Sequence, residues 1–147
     1  MNKENTQRLV AAFPGLYRYC GMTNAQREKF HQEGHGAYRM QWGFECRDGW
    51  FKLIWDLSEA ITDYARPRGI EVVAHQVKEK FGSLRFYVGI QGVKEECDHI
   101  YAMIDAAEAA SATACEFCGK AGELRPGGWW HVACDPCEAK YQAGGFR

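Results

Sequence analysis

A chain of 147 residues with a formal net charge of −1 has room for one ordinary hydrophobic core, or a core and a small appendage, and has no overall attraction for nucleic acid or an anionic membrane. No window approaches the ~18 apolar residues of a membrane span, and Asn2 to Arg8 are polar with no apolar stretch behind them, so the sequence predicts a soluble, cytoplasmic protein. Seven cysteines without an evident disulfide framework fit a reducing compartment.

In chain order, Leu9, Val10 and Phe13 stand at helical spacing and predict a helix over Glu4 to Phe13, ended by Pro14-Gly15. Leu16, Tyr17 and Tyr19 follow as a short segment laid on the core. Thr23 is a cap for a second, polar helix over Asn24 to Glu33, closed by Gly34 and Gly36. His31 and His35 have the i, i+4 spacing of metal ligands, but no acid or cysteine completes the set, so the pair reads as solvated loop. Tyr38 to Gly43 alternates like a strand. Asp48 is placed to cap the strongest helix, Trp50 to Ala65, where Trp50, Leu53, Ile54, Leu57, Ile61 and Tyr64 form one apolar face and Pro67 and Gly69 a stop.

Ile70 to Lys78 and Leu84 to Ile90 are rich in β-branched and aromatic residues and flank Lys80-Phe81-Gly82-Ser83, which predicts an antiparallel hairpin with Val73, Val77, Phe86 and Val88 on its buried face. Residues 66 to 85 carry a local charge of +3, and Lys78, Lys80 and Arg85 gather near the hairpin tip. A long helix then runs from about Gly92 to Thr113, with Val93, Cys97, Ile100, Ile104, Ala107 and Ser111 on one stripe and Cys97 read as core.

Cys115, Cys118, Cys134 and Cys137 are spaced as two Cys-x2-Cys pairs fifteen residues apart, the spacing of a four-thiolate structural zinc site. One Zn2+ fills its tetrahedron with sulfur and keeps no position for water, so it holds structure and activates nothing. Gly119 suits the knuckle after the first pair, and Arg125-Pro126-Gly127-Gly128 reads as the turn of a hairpin with Trp129, Trp130 and Val132 on its second strand. Asp135 has the place of an N-cap before Pro136, with Cys137 in the first helical turn. Knuckle, hairpin and helix together resemble the treble clef of GATA-like and DksA-like zinc modules. The expected fold is therefore α+β: a small antiparallel sheet packed with helices over residues 1–113, and a docked zinc module over 114–147.

WGFECRDGW (Trp42 to Trp50), QVKEKFGSLRFY (Gln76 to Tyr87) and the terminal cysteine pairs together resemble a group of small bacteriophage and prophage proteins, over roughly residues 42–137. The resemblance implies a phage or mobile-element origin and a C-terminal zinc module, and implies no activity.

Three functions are open to such a chain. A binding protein that engages a host or phage protein, inhibiting a host system, would use Trp129 and Trp130 together with Lys78, Lys80 and Arg85. One of the two tryptophans is expected to pack the module onto the long helix. A nucleic-acid-binding accessory protein would use the same hairpin tip and the zinc module, but residues 115 to 147 sum to zero formal charge, which is low for a phosphate-tracking surface. An enzyme would need a centre at His131, at His75 with Glu71 or Glu79, or at the Cys46 thiol between Glu45 and Arg47. None of these has the partners its chemistry requires, so the sequence predicts no catalytic residue.

Overall fold

The computed structural model of the chain describes residues 1–34 and 38–146; His35 and Gly36 lie outside them. Helix α1 (Lys3–Ala12) starts at Asn2, whose side chain accepts from the Asn5 N–H at 2.8 Å. Helix α2 (Asn24–Gln32) starts with a capping box in which Thr23 and Gln26 serve each other's backbone N–H groups. Helix α3 (Phe51–Ala65) buries Ile54, Leu57 and Ile61 and ends in a 3₁₀ turn, Arg66–Arg68, closed by Gly69 at φ +68°.

Strands β1 (Glu71–Lys80) and β2 (Ser83–Gln91) form the antiparallel hairpin, and α4 (Lys94–Ser111) packs on β2 and α3. Two short strands, β3 (Glu123–Arg125) and β4 (His131–Ala133), and helix α5 (Asp135–Gln142) complete an α+β fold that, among the described residues, has five α-helices and small antiparallel sheets. Among the described residues no helix is long and apolar enough to cross a membrane. The core gathers Leu9 and Tyr17, Met40, Trp50 and Ile54, Val77, Leu84 and Ile100 between the helices and one face of the β1–β2 hairpin.

Both edges of that hairpin are occupied, so it does not stand as a bare ribbon. Along β1, Glu45 bonds Val77 and Glu79 through its backbone and Leu16 accepts from the Ala74 N–H, each at 2.8–2.9 Å. On β2, side chains of α4 take the backbone donors: Ser111 Oγ accepts from the Leu84 N–H and Glu108 Oε1 from the Phe86 N–H.

Several sequence expectations are corrected. Residues Tyr38 to Gly43 form a 3₁₀ turn (Arg39–Trp42), not a strand; Met40 and Gln41 are buried by it. Asp48 does not cap α3. It opens a 3₁₀ turn leading into the helix, and its carboxylate accepts from the Asn2 N–H and Asn5 Nδ2, which ties α1 to this segment. Val73 is buried away from the main core because β1 carries a bulge at His75. Val72 and Ala74 face the core before the bulge and Val77 after it, since one extra residue reverses the period-two alternation. Cys97 is half-buried and Val93 exposed, as both lie at the first turn of α4, where the apolar stripe has left the core.

Candidate metal centre and the cleft beside it

Helix α4 runs directly into the first cysteine pair. Cys115 and Cys118 sit on a tight turn closed by hydrogen bonds from Gly119 N to Cys115 O and from Cys115 N to Lys120 O, with Gly119 at φ +77°. Cys134 precedes α5 and Cys137 lies in its first turn. The four sulfurs fall within 4.8 Å of one another, and Cys118 Sγ and Cys134 Sγ are 3.6 Å apart. A tetrahedral ion with metal–sulfur bonds of about 2.3 Å requires sulfur–sulfur edges of about 3.8 Å. The group could therefore hold a metal ion, and it offers only thiolate ligands. Asp135 is not the cap of α5; Cys134 is, and the Asp135 carboxylate instead pairs with Arg125 on β3.

His131 is not among the ligands. Its buried ring joins hairpin to helix, with Nε2 2.6 Å from Glu138 Oε2 and Nδ1 3.0 Å from the Trp129 carbonyl oxygen. Phe117 packs edge-on to His131 and against Tyr141 and Phe146, a small aromatic cluster that fills the lobe.

The lobe is fixed to the body by the segment Arg47–Trp50. Gly49 N donates to Glu116 O at 2.8 Å, Trp50 Nε1 to Ala114 O at 2.8 Å, and Arg47 N to Glu116 Oε1 at 3.1 Å. The Arg47 guanidinium lies over the Phe117 ring at 4.6 Å. Glu116 is buried, which raises its carboxyl above the ordinary carboxylate range, and the Arg47 N–H partly offsets that.

The cationic residues and the tryptophans meet only in the fold. Lys78, Glu79, Lys80 and Phe81 of the β1–β2 tip, and Gly127 to Trp130 of the loop before β4, line one cleft of about 870 Å³. Trp129 and Trp130 lie in that loop rather than on a strand, and they are 64% and 46% exposed. Arg85 is not at the cleft, because it pairs with Glu108 of α4 at 3.1 Å. Phe81 is the contributor that the sequence reading left out of the site. It is 70% exposed, and with φ +55° followed by Gly82 at +74° it occupies the first central position of a two-residue hairpin loop. That position favours Asn, Asp or Gly, so a phenylalanine before glycine in a hairpin turn was the available signal.

The remaining candidates lie apart. His31 Nε2 is 3.0 Å from Gln41 Nε2, and His31 belongs to no cluster of potential metal ligands among the described residues. His75, with its pKa lowered by burial, sits edge-on to Tyr38 in a pocket of about 220 Å³ that Glu71 also lines; Glu79 is not part of it. Cys46 is buried, and burial pushes its thiol up to about 12, the opposite of an activated nucleophile. Cys20 is half-buried and its thiol is also raised by burial. Compared with known protein families, curated proteins and solved structures, the chain matches none.

Proposed function

We propose that the chain is a binding protein that engages another protein, a host or phage protein, through the cleft between the β1–β2 tip and the Gly127–Trp130 loop, with one structural zinc ion holding the C-terminal lobe in place. The observation that carries this reading is the convergence of Phe81 and Trp129, both largely exposed, and the half-exposed Trp130 beside Lys78 and Lys80. Exposed apolar side chains scattered singly need no explanation, whereas a contiguous aromatic patch with a polar rim is the signature of an interaction site.

The ligand chemistry supports zinc. Four thiolates in a tetrahedral arrangement select zinc or an iron–sulfur centre, and the second cysteine pair is held by a helix rather than by a second glycine knuckle. The ion's part is structural: it fixes β3, β4 and α5 relative to one another, and so sets where the Trp129–Trp130 loop stands. Binding rather than catalysis is further supported by the commitment of His131 to Glu138 and by the burial of Cys46.

Capture from a cell lysate by the native chain, with and without nuclease, tests the reading. A protein retained after nuclease treatment and lost with Trp129→Ala/Trp130→Ala supports it. Retention that depends on nucleic acid would favour a nucleic-acid-binding role, and capture indifferent to both tryptophans would remove the cleft as the interface.

A further inference from the structure

We infer that the cleft takes an extended acidic peptide segment, a bulky apolar side chain of which rests against Phe81, Trp129 and Trp130 while a neighbouring carboxylate meets Lys78 or Lys80. The inference rests on the protein-binding reading above and assigns a chemistry to the partner.

The charges around the cleft are unequal in availability. Glu79, the one acid lining it, turns back to accept the Gly82 N–H at 2.7 Å. Lys78 and Lys80 form no ion pair among the described residues and lie over the Tyr87 and Phe81 rings, 5.8 and 5.4 Å from the centroids. Two ammonium groups beside an apolar floor are thus left to an incoming anion, and an aromatic floor raises the strength of such a pair by excluding water.

The walls are held before any ligand arrives. Gly82 approaches the metal lobe so closely that a Cβ on it would lie 2.3 Å from Leu124 Cδ1, and the Trp129 carbonyl is held by His131. Prepared walls reduce the ordering cost of binding. Phe81 adds an independent pointer. A bulky residue at positive φ is strained relative to asparagine or glycine, and strain of that kind concentrates at sites of function.

A peptide fits better than a single-stranded nucleic acid. Beyond Trp129 the surface continues into a shallow pocket lined by three acids, Glu45, Glu79 and Glu116, and by two cations that are already engaged, Arg47 over the Phe117 ring and the Met1 amino group on the Cys46 carbonyl. A phosphodiester chain crossing the tryptophan would carry its charge on past a lining in which acids outnumber cations, whereas a peptide can confine its acids to the lysine side.

The experiment selects a displayed random dodecapeptide library on the full zinc-loaded chain, then measures the recovered peptides by fluorescence anisotropy at physiological ionic strength, with labelled oligothymidine as a parallel probe. The recovered sequences should share an aromatic or long aliphatic residue within a few positions of Asp or Glu. Trp129→Ala should weaken binding at least about 30-fold, as expected for a central hot spot. The double reversal Lys78→Glu/Lys80→Glu should weaken it about tenfold and turn selection toward basic peptides. Phe81→Asn, which suits the turn, should weaken binding while keeping the fold, so a loss there cannot be ascribed to unfolding. Peptides without acids, or binding lost with Trp129→Ala yet indifferent to the lysine reversal, would overturn the acidic class and leave the protein-binding reading standing. Recovery of no peptide that depends on Trp129, or oligothymidine binding abolished by the same variants, would overturn both.

Discussion

Gly49 and the carbonyl of Cys115 meet backbone to backbone: a Cβ on Gly49 would lie 2.3 Å from Cys115 O and 2.6 Å from Cys118 N. The contact is reciprocal, since a Cβ on Gly119 would lie 2.7 Å from Gly49 O. The body thus supplies a seat into which the first cysteine turn fits without side chains between them, and the Gly49 N–H bond to Glu116 O fixes the register.

Gly49→Ala should therefore displace the cysteine turn. Because the obstructing atoms are backbone, the neighbourhood has little room to relax, and a loss of about 2–3 kcal/mol is expected in chemical denaturation. Metal affinity should fall with it, since the lobe would no longer be prearranged on the body. An unchanged midpoint together with unchanged metal content would show that the seat does not set the position of the lobe.

Metal removal should act mainly on the lobe. Its aromatic cluster around Phe117 is small, and metal binding in isolated modules contributes on the order of 10–16 kcal/mol, while the core of Leu9, Trp50, Ile54 and Ile100 lies in the body. A chelator is expected to make Cys115, which is wholly buried, open to alkylation and to leave the α1–α4 helical signal largely intact. Acidification should release the ion in the same way, because protons compete with it for the thiolates. Elemental analysis should find close to one zinc per chain before treatment. Persistent protection of Cys115 without metal would mean that packing alone holds the lobe.

Much of this arrangement was legible in the sequence, for local reasons. The α3 face from Trp50 to Ile61, the Thr23 cap and the glycine-containing turn after Lys80 all follow from periodicity or turn chemistry within a few residues. The cysteine spacing likewise fixes a ligand group by itself. What remained hidden depends on contacts across the chain. Tyr38 to Gly43 alternates like a strand but pairs with no strand among the described residues and forms a 3₁₀ turn instead. The bulge at His75 carries no composition signal and reassigns Val73 to the other face. Arg85 looks free beside Lys78 and Lys80 until Glu108, on a different element, is brought beside it. The cleft itself is invisible locally, because its two walls are about fifty residues apart and are brought together where Gly82 packs against Leu124.

Stability should fall in alkaline solution for an identifiable reason. Burial raises the Tyr17 hydroxyl well above its ordinary value and pushes the Cys46 thiol up to about 12. In the unfolded chain these groups ionise near about 10 and 8.5. Between those values and the folded ones the native state holds more protons than the unfolded state, so stability declines as pH rises, by up to about 1.4 kcal/mol per pH unit for each group. Below about pH 8 both states keep both protons and the two groups contribute no slope. Urea midpoints of the zinc-loaded chain should drop across the alkaline range, and Cys46→Ala should make the decline shallower. An equal slope in the variant would take Cys46 out of the account.

Stability and binding should separate at Phe81. The ring is 70% exposed and its backbone holds φ +55° at the head of the β1–β2 turn, so little packing is lost when it is replaced and the conformational cost is relieved. Phe81→Asn is expected to raise stability by about 0.5–1 kcal/mol, the scale of matching a residue to its turn. The same change removes one wall of the aromatic cleft, so any partner captured by the native chain should bind the variant more weakly. Trp129→Ala gives the control in the other direction: an exposed side chain away from the core, it should alter stability by no more than about 0.5 kcal/mol while removing binding. A Phe81→Asn chain that is less stable than the native one would mean that the ring is held by contacts within the fold. The residue would then be explained by packing, and its place at the cleft would need no partner.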